Sequence, residues 1–211
     1  MDKRRITRSA TGAAVTALAL GALQSASAAG ADGETKGGGG APAALEPAKV
    51  CVGTQPEGRL PSWGPKGSRP DDTPLYRVLA YIDRMGKAHP GIFTGFSVDD
   101  ANGAANVYRI PGKEAEKFDA DICGAAEKGV TVRLYDTEVT ETELKELVDR
   151  ISGDMDRWKG TFMIWTVGMN AHSVVMGVSD PEKAAPVLRE AYGEETMRHI
   201  KIERSEPPTL F

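Results

Sequence analysis

The stretch Gly160–Ser179, GTFMIWTVGMNAHSVVMGVS, decides the fold because it predicts a β-hairpin turning at Asn170-Ala171-His172. Side chains alternate between the two faces of a strand. The alternation predicts two faces for the first strand, one with Phe162, Ile164 and Thr166 and the other with Met163, Trp165 and Val167. In the second strand it groups Val174, Met176 and Val178. Since both faces are partly apolar, we expect one to form a core and the other to be covered by something else.

The segments around this hairpin predict a larger unit of helix, hairpin, helix and strand. Residues 142–158 and 182–192 have helical patterns, and 198–203 has a strand pattern. The Thr140-x-x-Glu143 sequence is typical of a capping box at the start of the first of these helices. We therefore expect an αββαβ unit over residues 140–204.

The same order of elements is predicted once more, over residues 73–139. Apolar positions and glycines recur 69 residues later, where Leu75, Val78, Leu79, Ile82 and Gly91 correspond to Leu144, Leu147, Val148, Ile151 and Gly160. This register favours an internal duplication over two unrelated α+β segments of similar period. The predicted fold class is therefore α+β, with two tandem αββαβ units whose antiparallel sheets are packed by helices.

The first 28 residues are typical of a secretory signal peptide. Lys3-Arg4-Arg5 precedes an apolar run, and Ala26-Ser27-Ala28 is a small-residue cleavage site. Its removal takes away three net positive charges from a chain whose formal net charge is −4. The resulting acidic protein is a poor candidate for binding nucleic acid or an anionic membrane. We expect an extracellular protein with no membrane contact after cleavage.

Residues 29–72 predict a flexible arm, because they are rich in glycine and proline and have no periodic apolar pattern. The arm contains Cys51, and the only other cysteine is Cys123. In an oxidising compartment such a pair favours a disulfide, with two free thiols as the alternative. The bridge would attach the arm to the second helix of the first unit.

The sequence offers no catalytic or metal-binding motif. The three histidines, His89, His172 and His199, have no nucleophile motif beside them and no metal-ligand spacing. Neighbouring carboxylates such as Asp99-Asp100 lie in predicted turns and do not match a calcium loop. We therefore expect a protein that is not an enzyme and needs no cofactor.

The second unit resembles the pro-region of secreted actinobacterial serine proteases of the alpha-lytic protease and streptogrisin type. The resemblance rests on the order of Ile164–Gly168, Ser173–Asp180 and Leu188–Gly193, and extends over roughly residues 75–204. In that family the pro-region helps the attached chymotrypsin-like protease to fold and then inhibits it, by adding a strand and laying its tail through the active-site cleft. Here only Ser205–Phe211 follow the second unit, so we expect action in trans.

The resemblance implies a partner-binding surface on the second unit and its tail. The candidate residues are Met163, Trp165, Val167, Val174, Met176, Val178, Thr209, Leu210 and Phe211. A tail ending in an apolar side chain beside a carboxylate would bind a protease as a reaction product does. The alternative interpretation is a secreted structural or ligand-binding protein that reuses the pro-region fold without a protease partner.

Overall fold

Two β-sheets, each covered by helices, make up the described part of the chain. The computed structural model describes residues 45–62 and 72–208, all of which lie in one compact unit. The strands are β1 Lys49–Val52, β2 Phe93–Asp99, β3 Ala104–Arg109, β4 Thr131–Asp136, β5 Ile164–Met169, β6 Val174–Val178 and β7 Ile200–Arg204. The helices are α1 Pro74–Ala88, α2 Lys113–Ala125, α3 Glu141–Asp154, α4 Pro181–Tyr192 and α5 Glu194–Met197. The predicted α+β class is confirmed.

The first sheet has the strand order β1-β4-β3-β2, and the second sheet has the order β5-β6-β7. In each sheet a hairpin is followed by a helix and then by a strand that returns parallel to the second hairpin strand. The prediction of antiparallel sheets was therefore wrong, since both sheets are mixed. The physical reason is the crossover helix, α2 or α4, which carries the chain back to the end of the sheet where the preceding strand began, so that the next strand runs parallel to it.

Each sheet buries one face against its own helices. The core of the first sheet joins Val78 and Ile82 of α1 with Phe118 and Ile122 of α2. The core of the second sheet includes Leu144, Ile151, Val174, Met176, Val178 and Leu188. The apolar residues whose spacing predicted these helices thus lie on the side of each helix that faces its sheet.

The start of α3 has the local structure that its sequence predicts. The Thr140 hydroxyl accepts a hydrogen bond from the backbone N–H of Glu143 at 3.2 Å, and the Glu143 carboxylate accepts one from the Thr140 N–H at 2.7 Å. These reciprocal bonds satisfy donors that the first turn of a helix leaves free. The capping box is confirmed.

Part of the segment interpreted as a flexible arm is an ordered strand. Lys49–Val52 pairs antiparallel with β4 at the edge of the first sheet. Cys51 forms a disulfide with Cys123 of α2, which confirms the predicted pairing. For these residues the interpretation as an unpacked arm was wrong. A four-residue strand is too short to produce a clear periodic pattern, and its order depends on distant partners.

A buried ion pair holds the chain that follows β1. Glu127 is fully buried, and its carboxylate accepts hydrogen bonds from Arg77 of α1 at 2.7 Å and from the backbone N–H groups of Leu60 and Gly58 at 2.9 and 3.2 Å. Burial by itself raises the pKa of Glu127, but these donors outweigh it and hold the pKa below its usual value. Residues 58–60 are therefore tied to the first sheet through one carboxylate.

Candidate partner-binding surface

The second hairpin strand does not provide the binding face that the sequence suggested. Val174, Met176 and Val178 of β6 have no exposed surface and lie in the core of the second sheet. β6 also has β5 on one side and β7 on the other, so both of its backbone edges are hydrogen-bonded. These three residues form the fold and are unavailable to a partner.

A β-bulge changes the faces of β5 from the expected alternation. Ile164 pairs with Val178, but the next paired residue, Thr166, lies opposite Gly177. The irregularity at Trp165 shifts the alternation by one residue, so that Val167 packs against the core while Thr166 is exposed. The predicted grouping of Val167 with Trp165 on one face was therefore wrong.

Trp165 and Met163 remain partly exposed, and Trp165 lies beside a surface cavity. The cavity has a volume of about 550 Å³ and is lined by Trp165, Ser179, Arg204, Ser205, Glu206 and Pro207. The Trp165 indole Nε1 is buried and has no hydrogen-bond partner among the described residues. A buried indole N–H usually has an acceptor, so this unpaired donor is an exception within the fold.

The walls of the cavity are held by contacts between the ends of the three strands. The Arg204 guanidinium donates to the Ser179 carbonyl oxygen at 3.1 Å, and the Ser179 hydroxyl accepts from the Met163 N–H at 2.9 Å. The Ser205 N–H donates to the Val178 carbonyl oxygen at 2.8 Å, which continues the pairing of β7 beyond its last residue. The chain leading to the tail therefore leaves the sheet beside Trp165.

β5 forms one edge of the second sheet, and the pairing of its backbone shows which N–H and C=O groups are free on that edge among the described residues. The Asn170 N–H donates to the Ser173 carbonyl oxygen at 2.9 Å, which closes the turn. In an antiparallel ladder hydrogen-bonded pairs alternate, so Gly168 and Thr166 bond to β6. The backbone groups of Val167 and Met169 then point away from β6, towards the open edge. The Met169 side chain is also exposed.

The turn of the second hairpin contacts the first sheet and is not part of the open surface. The Asn170 side-chain oxygen accepts from the backbone N–H groups of His172 and Ser173 at 2.9 and 2.8 Å. The His172 ring stacks on Tyr108 of β3 with 4.6 Å between ring centroids, and Tyr108 stacks on Tyr135. Burial lowers the pKa of His172, because its Nδ1 lies away from water without a hydrogen-bond partner among the described residues.

The charged groups of the first sheet form structural networks. Arg109 of β3 is buried and binds both carboxylate oxygens of Asp119 at 2.8 and 2.9 Å, and it also contacts Asp136. The Asp119 hydrogen bonds raise the pKa of Arg109 against the effect of its burial. The network joins β3, α2 and the end of β4. It presents no free base or nucleophile.

The three histidines lie at the ends of different elements of the fold. His89 follows α1, where its Nδ1 is 3.7 Å from Glu114, while His172 lies in the hairpin turn and His199 precedes β7. Across residues 45–62 and 72–208, no group of three or more His, Cys, Asp or Glu side chains has the arrangement of a metal site. In the same ranges, no helix combines the length and apolarity that crossing a membrane requires.

Sequence reasoning identified Trp165 but missed the strand end beside it. Arg204 and Ser179 gave no signal, because a cavity formed by three strand ends depends on how the sheet pairs. The candidate tail residues Thr209, Leu210 and Phe211 lie outside the described residues. Comparisons with protein-family models, with curated proteins and with solved structures find no match to this chain.

Proposed function

We propose that this chain is a secreted, non-enzymatic binding module that acts in trans on a chymotrypsin-like serine protease, as an inhibitor or folding helper. One observation carries the proposal. The open edge strand β5, the partly exposed Trp165 and the chain leading to the tail meet at the same end of the second sheet. A protease segment added to this edge would have a side-chain cavity beside it.

Strand addition explains how such a surface binds without a large apolar patch. The backbone N–H and C=O groups of an edge strand supply affinity, and neighbouring pockets supply specificity. On β5 the outward-facing groups are those of Val167 and Met169, and the pocket is the cavity at Trp165. A protease strand pairing here would extend the second sheet to four strands.

The resemblance to protease pro-regions supports the class of partner. It rests on short sequence features in β5, β6 and α4, and in that family the corresponding module binds its protease through a sheet. The tail residues Thr209–Phe211 follow Pro207-Pro208, and prolines favour an extended chain. We propose that this tail enters the active-site cleft of the protease.

Export and internal duplication are part of the same proposal. Both sheets contain a hairpin, a crossover helix and a parallel third strand in the same order, which supports two tandem αββαβ units derived from one ancestor. The Cys51–Cys123 disulfide is compatible with an extracellular location. We propose cleavage after Ala28. Secretion by the native host, followed by N-terminal sequencing of the released protein, tests this, and a chain retaining Met1 in the medium would contradict it.

The functional test is a titration against secreted bacterial proteases of the chymotrypsin fold, measured as residual peptidase activity and as refolding yield of the denatured protease. The proposal predicts a saturable effect in at least one of these assays. Met169→Pro removes an outward N–H donor and should weaken binding, while Met169→Ala keeps the donor and serves as the matched control. Trp165→Ala tests the cavity in the same way.

Removal of Thr209–Phe211 separates the tail from the sheet edge. Loss of inhibition with retained binding would assign the inhibitory step to the tail. Unchanged inhibition would reject the tail and retain the sheet edge. If neither the full chain nor any variant affects activity or refolding of these proteases, the proposed function is wrong. A structural or ligand-binding role through the cavity at Trp165 would then take its place.

A further inference from the structure

The edge of the first sheet formed by β1 has the properties of an interface. β1 pairs with β4 on one side, and no described strand lies on its other side. Cys51 points towards α2, where it forms the disulfide, so Val50 and Val52 point to the opposite face of the sheet. Their exposed fractions are 53% and 66%, the largest among the exposed apolar side chains of the described residues.

Edge strands in monomeric proteins are usually protected against pairing. Charged side chains, especially lysine, prolines and bulges are the common means of protection. β1 has one such residue, Lys49, at its first position, and no charged or proline residue follows it from Val50 to Gln55. The disulfide also holds the strand in place, so a partner would not have to order it first.

The sequence of residues 29–44, which leads towards β1, lacks large apolar side chains that could cover the two valines. If the chain is cleaved after Ala28, residues 29–44 precede the described part and end close to the strand. They consist of Gly, Ala, Pro, Thr, Asp, Glu and Lys, with no large apolar side chain. Burying Val50 and Val52 therefore requires apolar surface from elsewhere.

We infer that the outer edge of β1 pairs with the β1 of a second copy of this chain to form a two-fold symmetric dimer. The strand is self-complementary in the antiparallel direction. Centred on Cys51, the pairing sets Val50 of one copy opposite Val52 of the other, and the four valines cover one another. Lys49 faces Gly53 of the second copy, so the arrangement brings no like charges together.

The register follows from the bonding pattern of β1. The Gly53 N–H donates to the Val130 carbonyl oxygen at 2.8 Å, and Cys51 lies opposite Val132. Because hydrogen-bonded pairs alternate in an antiparallel ladder, the backbone groups of Val50 and Val52 face outward. They can exchange hydrogen bonds with Val52 and Val50 of the second copy. The result is a continuous sheet of eight strands with α1 and α2 of both copies on the same side.

The test is sedimentation equilibrium of the purified protein over a wide concentration range. The inference predicts a monomer–dimer equilibrium. Val52→Lys places a charge at the centre of the pairing and should weaken dimerisation by about tenfold or more. Val98→Lys is the matched control, because Val98 is 41% exposed on the other edge strand, β2, and should leave the equilibrium unchanged.

Amide hydrogen exchange of the unaltered protein gives a second measurement that needs no variant. The Val50 and Val52 amides should exchange more slowly as the protein concentration rises, while those of β2 should not respond. A protein that stays monomeric at every concentration would overturn the inference. So would a dimer that Val52→Lys leaves intact, or one with no concentration-dependent protection at β1. None of these outcomes depends on a protease partner.

Discussion

At the residue scale, substitutions of buried polar groups should have the largest effects on stability. When one partner of a buried pair is removed, the other is left with neither a hydrogen-bond partner nor water. The Arg77–Glu127 pair and His172 show two ways in which a buried titratable group is accommodated, one charged and one neutral. Glu127 is ionised within a set of donors, whereas His172 is held neutral by burial.

Glu127→Gln should destabilise the protein by about 3 kcal/mol or more, since it leaves the buried Arg77 guanidinium without its main carboxylate. Urea denaturation at neutral pH measures the change in the free energy of unfolding. Lys87→Ala is the control, because Lys87 pairs with Asp83 at 2.6 Å on the exposed face of α1 and should change stability by less than about 1 kcal/mol. Equal effects of the two substitutions would contradict the role given to Glu127.

His172 predicts a loss of stability in mild acid. Its pKa is lower in the folded protein than in the unfolded chain, so the unfolded chain binds a proton first as the pH falls. The free energy of unfolding should therefore decrease as the pH falls below about 6.5. His172→Phe keeps a ring against Tyr108 and should flatten this dependence. Denaturation curves at pH 7.5 and 5.5 measure the difference, and an unchanged slope in the variant would argue against His172 as the source.

At the element scale, β1 shows how a short strand is kept in place by contacts from other parts of the chain. Its pairing with β4 supplies few hydrogen bonds, and the disulfide to α2 closes a loop with a sequence separation of 72 residues. Glu127 then fixes the following residues 58–60.

Replacing Cys51 and Cys123 together by serine should lower the free energy of unfolding by roughly 2 to 5 kcal/mol, largely because the unfolded chain regains the freedom of the open loop. The measurement is denaturation with and without reductant, and the reduced unaltered protein should approach the double variant. Thiol labelling of the denatured, unreduced protein should find no free cysteine. Two labelled thiols per chain would contradict the bridge.

At the scale of the whole molecule, the two sheets are joined where the second hairpin turn meets β2. A Cβ atom built at Gly95 would lie 2.4 Å from the Ala171 carbonyl oxygen, which is closer than nonbonded atoms approach. Thr94 of β2 also holds the segment that leads from β4 to α3, because its hydroxyl forms a hydrogen bond with the Thr137 hydroxyl at 2.6 Å. The stack of His172 on Tyr108 lies at the same contact.

Gly95→Ala should therefore destabilise the protein by about 1 to 3 kcal/mol, because the turn must shift to admit the methyl group. Gly91→Ala is the matched control, since a Cβ there meets nothing within 4 Å and should be close to neutral. Thermal unfolding of both variants measures the effect. If the two behave alike, the turn does not press on Gly95 as described.

The candidate surface could be predicted only in part from the sequence. The sequence placed Trp165 on one of two partly apolar strand faces, and the structure shows that its side chain is partly exposed. The burial of Val174, Met176 and Val178 could not be predicted, because the helices that cover a hairpin decide which of its faces becomes core. The cavity at Arg204 and Ser179 depends on the pairing of three strand ends distant in the sequence.

The sequence by itself determined the order of helix, hairpin, helix and strand in each unit, the capping box at Thr140 and the pairing of the only two cysteines. These features follow from local spacing and from residue chemistry, which every segment carries with it. Only the tertiary structure decided the bulge at Trp165, the parallel third strand of each sheet and the recruitment of Lys49–Val52 as an edge strand. Each of these is set by hydrogen bonds and packing between residues far apart in the chain, so no local pattern encodes it.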